Sequence, residues 1–320
     1  MRRWNQMART LVLSAVTALA LTAEAHASRA LALSGETRTA IGAALAAEAP
    51  VGQGILLFYN SYTGAAGAGQ VDANGNYADL RNYPRFDRGW SRIVPTTDGL
   101  VLFYDGRTGK AVTGRVQADG SYQDLQNLKF PVSFDIADEI VSTSDGILLS
   151  YGGSRGLETG RLDANGNYIH LLTYKAYNRI WSHIVPTHDG LVLFYNVVTR
   201  EAATGRVQPD GSFQFLNSYT GFDPWALIVS TSDGMLLFYN QYTGVAATGQ
   251  VDANGNFADL RSYTGFDLYW SQIVPTTNGL LLFYAYQGAN GFGRIDAQGA
   301  YTDGTPVRGL DEWTHIVSVR

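Results

Sequence analysis

Few side chains in this sequence have the types and spacing that catalysis needs. The chain contains no cysteine, which excludes thiolate catalysis, thiolate metal sites and disulfide scaffolds. Beyond the N-terminal segment its histidines are His170, His183, His188 and His315, and they show no sequence pattern typical of a nucleophilic triad. The sequence therefore predicts no catalytic residue, no metal site and no cofactor, and it favours a function other than catalysis.

A second set of side chains has the chemistry of a sugar-binding surface. Aromatic rings pack on the apolar C–H faces of a sugar, and amide, hydroxyl and carboxylate groups bond to its hydroxyls. We predict ligand contacts for Asn60, Tyr62, Thr63, Asp87, Trp90, Asn196, Thr199, Asp223, Trp225, Asn240, Tyr242, Thr243, Asp267, Trp270, Asp311 and Trp313. Two structural interpretations stay open: the tryptophans can be core residues, and the aspartates can cap or brace loops.

These side chains recur because the chain is built from repeats. The phrase G-x-L-L-F-Y, or a close variant, starts at Gly54, Gly99, Gly146, Gly190, Gly234 and Gly279. Residues 54–98 match residues 234–278 at 32 of 45 positions without a gap. Proline and serine alternate after the Ile-Val pair, which indicates an ancestral pair of repeats used three times. A fixed period of this length is typical of propellers and other repeat folds.

Each repeat contains four short segments with strand character. Trp-x-x-Ile-Val and Leu-Leu-Phe-Tyr are joined by a Thr-Asp-Gly turn, and the last two segments are joined by Asn-Gly or Asp-Gly, the dipeptides of tight hairpins. Six such units predict an all-β, six-bladed β-propeller of four-stranded antiparallel blades. The first repeat lacks its inner strand, and residues 313–319 supply an unpaired one. We therefore predict that the C-terminal strand joins the first repeat and closes the ring.

The strand order places the predicted ligand contacts on one face. The linkers between blades and the loops after the second strands lie there, and the tight turns lie on the other face. His183 and His315 share a repeat position with Arg92, Glu139, Leu227 and Gln272, at the start of the inner strands, where a side chain can reach the central channel. A variable polar position there is also explained by solvation alone.

The motifs GILLFY, TGxAxTGxVDANG and WSxIVP span residues 51–320 and resemble those of secreted tachylectin-type propeller lectins and of tandem propeller repeats in exported bacterial proteins. The resemblance implies the propeller fold and sugar binding. No site residue is taken over from it.

Two motif-based alternatives are weaker. The D-A-N-G turns offer oxygen ligands for calcium, but Gln117 and Gln208 replace the first aspartate in two repeats, and a hairpin already explains Asn-Gly. The T-x-D-G turns are similar to the aspartate boxes of sialidases but lack a residue before the glycine. Neither motif changes the prediction that no metal is bound.

The N-terminus has the pattern of an export signal. Arg2, Arg3 and Arg9 precede an apolar stretch that ends in Ala-His-Ala at residues 25–27, and this stretch is shorter than the roughly 20 residues of a membrane span. We predict a signal peptide at 1–27, a spacer or short helix at 28–50, and the propeller at 51–320. Removing the signal leaves 20 basic and 27 acidic residues, a net charge of −7, which disfavours nucleic acid.

Together these observations predict a secreted or periplasmic propeller that binds glycans or glycoconjugates at several equivalent weak sites on one face, without membrane insertion. The oligomeric state stays open, and a monomer agrees with the sequence. One rival is an enzyme that acts on glycans at a central site. A cluster of non-repeated carboxylates and arginines at one mouth of the channel would favour it. The other rival is a protein-interaction or surface-display module without a small ligand.

Overall fold

The computed structural model describes residues 54–83, 85–129, 139–152, 156–175, 181–231, 234–286, 288–310 and 312–319. Within these ranges the regular elements are all strands. The predicted signal peptide, the 28–50 spacer and Asp311 lie outside the described residues.

Twenty-four strands follow one another along the chain. The first eight are β1 (Gly54–Tyr59), β2 (Ala66–Val71), β3 (Tyr77–Tyr83), β4 (Arg92–Pro95), β5 (Leu100–Tyr104), β6 (Lys110–Val116), β7 (Tyr122–Lys129) and β8 (Glu139–Ser142). The next eight are β9 (Ile147–Gly152), β10 (Gly156–Leu162), β11 (Tyr168–Tyr174), β12 (His183–Pro186), β13 (Leu191–Asn196), β14 (Glu201–Val207), β15 (Phe213–Thr220) and β16 (Leu227–Ser230). The last eight are β17 (Met235–Asn240), β18 (Val245–Val251), β19 (Phe257–Tyr263), β20 (Gln272–Pro275), β21 (Leu280–Tyr284), β22 (Asn290–Ile295), β23 (Tyr301–Val307) and β24 (His315–Val319).

The strands form six antiparallel sheets of four, and each sheet is one blade. Blade 1 has the order β24-β1-β2-β3, and blades 2 to 6 are β4–β7, β8–β11, β12–β15, β16–β19 and β20–β23. The inner strands of neighbouring blades contact one another around the whole ring. This is the predicted six-bladed propeller.

The C-terminal strand closes the ring as predicted. Strand β24 pairs with β1 in antiparallel register, with Leu57 opposite Val317 and Tyr59 opposite His315. Blade 1 therefore takes its inner strand from the end of the chain and its other three strands from the first repeat, so the two ends of the propeller are held in one sheet.

The second strand of each blade is apolar on both sides because each blade is packed between two others. In β13 the residues from Leu191 to Tyr195 are all fully buried. A strand that is covered on both faces carries a continuous apolar run, whereas an outer strand such as β19 is exposed along most of its length. The L-L-F-Y run is apolar throughout because the second strand of each blade is buried between the two neighbouring blades.

A buried threonine ties most blades to the next one. Thr113 donates to the carbonyl of Gly166, Thr159 to Gly211, Thr204 to Gly255 and Thr248 to Gly299, at distances of 2.6 to 2.8 Å. The acceptor in each case is the glycine of the hairpin turn between the third and fourth strands of the following blade. At the equivalent positions of blades 1 and 6 the chain has Ala68 and Phe292, which cannot make this bond.

Candidate functional site

The two faces of the ring carry different connections. The loop face bears the loops after the second strands, such as 60–65, and the linkers between blades, such as 85–91. The turn face bears the tight turns, such as those at 96–99 and 72–76. The described members of the predicted ligand set lie on the loop face, as the strand order predicted.

The tryptophans of that set are core residues. Trp90, Trp225 and Trp270 are only 4 to 9 % exposed, and Trp313 is half-buried against the cluster of blades 6 and 1. The Trp225 ring packs on Phe238 with ring centroids 5.7 Å apart. This packing agrees with the interpretation of the tryptophans as core residues rather than as ligand contacts.

The asparagines hold the loops. Asn60 is 5 % exposed, and its side-chain oxygen accepts the backbone N–H groups of Tyr62 and Thr63 at 2.9 and 3.1 Å. Asn196 and Asn240 accept the corresponding N–H groups of their own loops. These amides are already used by the backbone, so they are not presented to a ligand.

The threonines and aspartates of the set are more exposed but mostly serve the same loops. The hydroxyl oxygens of Thr63 and Thr243 accept the N–H two residues ahead, and Thr199 bonds to Glu201. Asp87 pairs with Lys110 at 2.6 Å. The side chains of Asp223 and Asp267 are exposed, and their backbone carbonyls accept the hydroxyls of the buried tyrosines 195 and 239.

Only part of the predicted ligand set is presented to solvent. Tyr62 and Tyr242 are 76 and 69 % exposed at the tips of their loops. Asp87 and Trp90 border a cavity of about 290 Å³ in blade 2 whose floor includes Phe86, Phe103 and Tyr122. The structure therefore brings the set together blade by blade but turns most of its polar atoms toward the backbone.

A different group of side chains breaks the repeat on the same face. We call His315, Arg92, Glu139 and His183 the central arc; they are the first residues of the inner strands of blades 1, 2, 3 and 4. The other two blades have Leu227 and Gln272 at this position. All six are half-buried. Sequence comparison of the repeats showed which residues occupy this position, but it did not show that their side chains contact neighbouring blades.

Three side chains of the central arc reach the following blade, and Glu139 pairs with Arg92 of the preceding one. The Nε atom of Arg92 lies 3.6 Å from Oε2 of Glu139, with the two side chains 42 and 29 % exposed. Nε2 of His183 lies 3.0 Å from the carbonyl oxygen of Ala226, and Nε2 of His315 lies 3.2 Å from that of Ser91. The central arc therefore combines contact between blades with partial access to solvent.

In both histidines of the central arc, Nδ1 is the ring nitrogen that can accept a proton. A carbonyl oxygen can only accept, so Nε2 carries the proton in each ring and Nδ1 is left with its lone pair. This lone pair lies near a hydroxyl, Ser182 Oγ at 3.0 Å from His183 and Thr314 Oγ1 at 2.9 Å from His315. Each hydroxyl also lies within bonding distance of a backbone carbonyl, that of Tyr195 at 3.0 Å and that of Tyr59 at 3.1 Å, so its one proton is shared between two acceptors. In both pairs the hydroxyl residue directly precedes the histidine in the sequence, at residues 182–183 and 314–315.

Desolvation favours the neutral form of both rings. Burial lowers the pKa of His183 and His315 below the ordinary histidine value, the backbone acceptors offset this in part, and the charge of Arg92 lowers the pKa of His315 further. Both imidazoles are therefore neutral at pH 7.

The folded protein should lose stability in mild acid. Because the two pKa values are lower in the folded chain than in the unfolded chain, their contribution is complete above about pH 6.5 and is lost as pH falls below it. Melting temperatures between pH 8 and pH 5 should fall more steeply for the parent than for the double variant His183→Gln/His315→Gln. His170→Gln, at an exposed position of β11, is the control. Identical slopes for parent and double variant would contradict the assignment.

The centre of the ring encloses a cavity of about 780 Å³. It is lined by the Ile-Val pairs of all six inner strands and extends to turn-face residues including Thr187, His188 and Thr277. The central arc is not part of its lining; it forms the next layer of residues, toward the loop face.

No metal site is evident in the part of the chain that the structure describes, where no three histidine or acidic side chains are grouped to hold an ion. In the same residues, no helix has the length and apolarity to cross a bilayer.

Similarity to known proteins is confined to the fold. No family model matches this chain, and no curated protein matches it. A periplasmic gluconolactonase from Pseudomonas aeruginosa has a TM-score of 0.58 at 11 % identity, covering 84 % of this chain and 99 % of that chain. A protein from Bacteroides fragilis, provisionally assigned as a 6-phosphogluconolactonase, has a TM-score of 0.58 at 12 % identity, covering 84 % and 99 %. A protein from Lactobacillus plantarum has a TM-score of 0.55 at 12 % identity, covering 84 % and 100 %.

These comparisons correct the functional prediction. The chain is similar to propellers named as gluconolactonases, and no family match supports the resemblance to tachylectin-type lectins. The prediction of a multivalent sugar-binding propeller was therefore wrong, whereas at this level of identity the similarity shows the fold of this chain and not its activity. The propeller fold, which the same resemblance implied, is confirmed.

Proposed function

We propose that this protein is an enzyme that hydrolyses a cyclic ester at one site over the central arc. The observation that carries the proposal is the arc itself: titratable side chains occupy four consecutive blades at a position where the repeats differ. A multivalent binder would repeat its site residues in every blade, whereas an enzyme has one active centre. The names of two structural neighbours support a sugar-acid lactone as the substrate class.

The half of the arc formed by blades 1 and 2 has the groups that lactone hydrolysis requires. His315 is neutral at pH 7, and its Nδ1 lone pair is the atom that can accept a proton. The neighbouring Thr314 hydroxyl, which also bonds to the carbonyl of Tyr59, holds the ring in place. Arg92 belongs to the neighbouring blade, and its guanidinium can stabilise negative charge that develops on a carbonyl oxygen. Glu139 pairs with Arg92 and positions it.

The reaction then needs only water as a second reactant. The oxygen of a water molecule attacks the lactone carbonyl carbon while His315 takes a proton from it. Collapse of the tetrahedral intermediate breaks the ring C–O bond, and the proton passes to the departing alkoxide oxygen. The product is a hydroxy acid, which ionises at neutral pH.

His315→Gln should lower kcat/KM for D-glucono-1,5-lactone or its 6-phosphate by about 10² to 10⁴, the range for loss of a general base. Glutamine is already present at the equivalent position, Gln272, where its Nε2 reaches Trp313 of the next blade. The variant should therefore keep the contact between blades and the parent melting temperature near pH 8. Hydrolysis is followed by acid release in a pH-stat, after subtraction of the spontaneous rate.

His170→Gln is the matched control, since this imidazole is exposed on an outer strand and bonds to Thr173. It should keep full activity. Hydrolysis of neither lactone above the spontaneous rate, or equal activity of His315→Gln and the parent, would refute the proposal.

The remaining predictions from the sequence extend this proposal. Export through cleavage near Ala27 would place the enzyme in the periplasm or outside the cell, and one structural neighbour is a periplasmic protein. The mature net charge of −7 disfavours a nucleic-acid partner. Cleavage is checked by N-terminal sequencing of the exported chain.

A further inference from the structure

The cavity along the ring axis has walls of aliphatic side chains. Every inner strand supplies an isoleucine and a valine to it. Of the valines, Val141, Val229 and Val317 are half-buried, whereas those that precede a proline are 5 to 7 % exposed. Apolar walls around about 780 Å³ favour an apolar ligand group, because hydroxyls of a sugar would lose their bonds to water there.

The turn-face end of the cavity is polar and acidic. Its lining there includes Ser144, Asp189 and Thr277, and neither lysine nor arginine is found among the residues that line it. Asp189 is the one carboxylate in the lining. Asp98 and Asp145 occupy the same turn position in the two preceding blades, just outside the lining, and all three carboxylates are exposed. We call Asp98, Asp145 and Asp189 the acidic rim.

We propose that the central cavity binds a small amphiphilic cation from the turn face. Its alkyl part lies along the half-buried valines, and its positive group lies beside the acidic rim. The ligand class follows from the apolar walls and the acidic rim together, since the walls favour an alkyl chain and the rim favours a cation over an anion. This site is separate from the central arc, and its test requires no enzymatic activity.

The experiment is a calorimetric titration of the full chain with three amphiphiles that share one chain and differ in charge. These are the decyltrimethylammonium ion, decyl maltoside and decyl sulfate, each below its micelle concentration. The titrations are run at pH 8. We expect one cation per chain and at least ten-fold weaker binding of the neutral and anionic amphiphiles.

Two variants test the acidic rim and the apolar wall separately. Asp98→Asn/Asp145→Asn/Asp189→Asn should weaken cation binding roughly ten-fold and remove its dependence on salt, as expected for three exposed charges. Asparagine fits these turns because Asn278 occupies the equivalent position in blade 6. Val141→Thr/Val229→Thr/Val317→Thr keeps the side-chain volume but makes the wall polar, and it should weaken the cation and the maltoside by a similar factor.

The control changes the same net charge elsewhere. Asp79→Asn/Asp259→Asn/Asp303→Asn lies on the exposed outer strands β3, β19 and β23 and should leave the affinity for the cation unchanged. Equal affinity for all three amphiphiles, binding without a one-to-one endpoint, or loss of affinity in the control equal to that of the rim variant would overturn the proposal. Lactone hydrolysis can be absent while this binding is present, so the two proposals fail separately.

Discussion

Removal of residues 312–320 should abolish cooperative folding of the propeller. The truncation takes away β24 and leaves β1 as an open sheet edge next to a gap in the ring. It also removes Ile316 and Val319, which are 4 and 6 % exposed, and the contacts that Glu312 and Thr314 make with the loop at Asn60 and Ser61. The combined loss exceeds about 5 kcal/mol, the lower end of the stability of an ordinary domain.

Thermal melting followed by circular dichroism, together with size-exclusion chromatography, measures this result. The control removes Arg320 alone, which leaves β24 intact. A peptide of residues 310–320 added in trans should restore part of the transition. A truncated chain that melts at the parent temperature would show that blade 1 does not need its inner strand.

Trp225→Ala should cost about 3 to 5 kcal/mol of folding free energy, the usual range for emptying a buried aromatic site. The ring is 5 % exposed and packs with Ile228, Leu236 and Phe238 in the core between blades 4 and 5. Its backbone N–H donates to the hydroxyl of the buried Tyr195 at 3.1 Å, and alanine keeps this bond, so the loss reports the ring alone. Urea unfolding provides the measurement.

Tyr242→Ala is the matched comparison, since the same sugar-binding prediction included both residues. Its side chain is 69 % exposed, and a surface substitution of this kind changes stability by about 0.5 kcal/mol or less. A small stability loss for Trp225→Ala would mean that the tryptophans are not structural and would reopen the question of their role.

The fold could be predicted from the sequence because each repeat carries two independent signals. The L-L-F-Y run identifies a strand covered on both sides, and the Asn-Gly or Asp-Gly turn fixes the hairpin that follows it. Gly75, in the first of these turns, has φ of 82°, which its residue type permits without strain. Ring closure followed from counting strands, since the sequence from Trp313 to Val319 had no other partner.

The candidate site could not be predicted in the same way. The sequence placed Asn60 on the correct face, but whether its amide oxygen points to solvent or to the N–H of Tyr62 depends on the loop conformation. It also placed His315 at a variable repeat position. The His315 ring contacts the carbonyl of Ser91 in the next blade, beside Arg92. This contact depends on how neighbouring blades pack against each other, and the pattern of apolar and polar residues along a strand does not predict that packing.

The threonine bonds between blades have a consequence for how the ring opens. They are present from blades 2, 3, 4 and 5 to the blade that follows each, whereas Ala68 and Phe292 leave both junctions of blade 1 without one. Blade 1 is also the sheet made from the two ends of the chain. The seam is held instead by bonds closer to the surface, from Arg294 and Thr305 of blade 6 to the carbonyls of Ala73 and Asn74 and from Tyr83 to that of Gly120. An opening of the ring at either junction of blade 1 therefore breaks no buried threonine bond, whereas an opening anywhere else must break one.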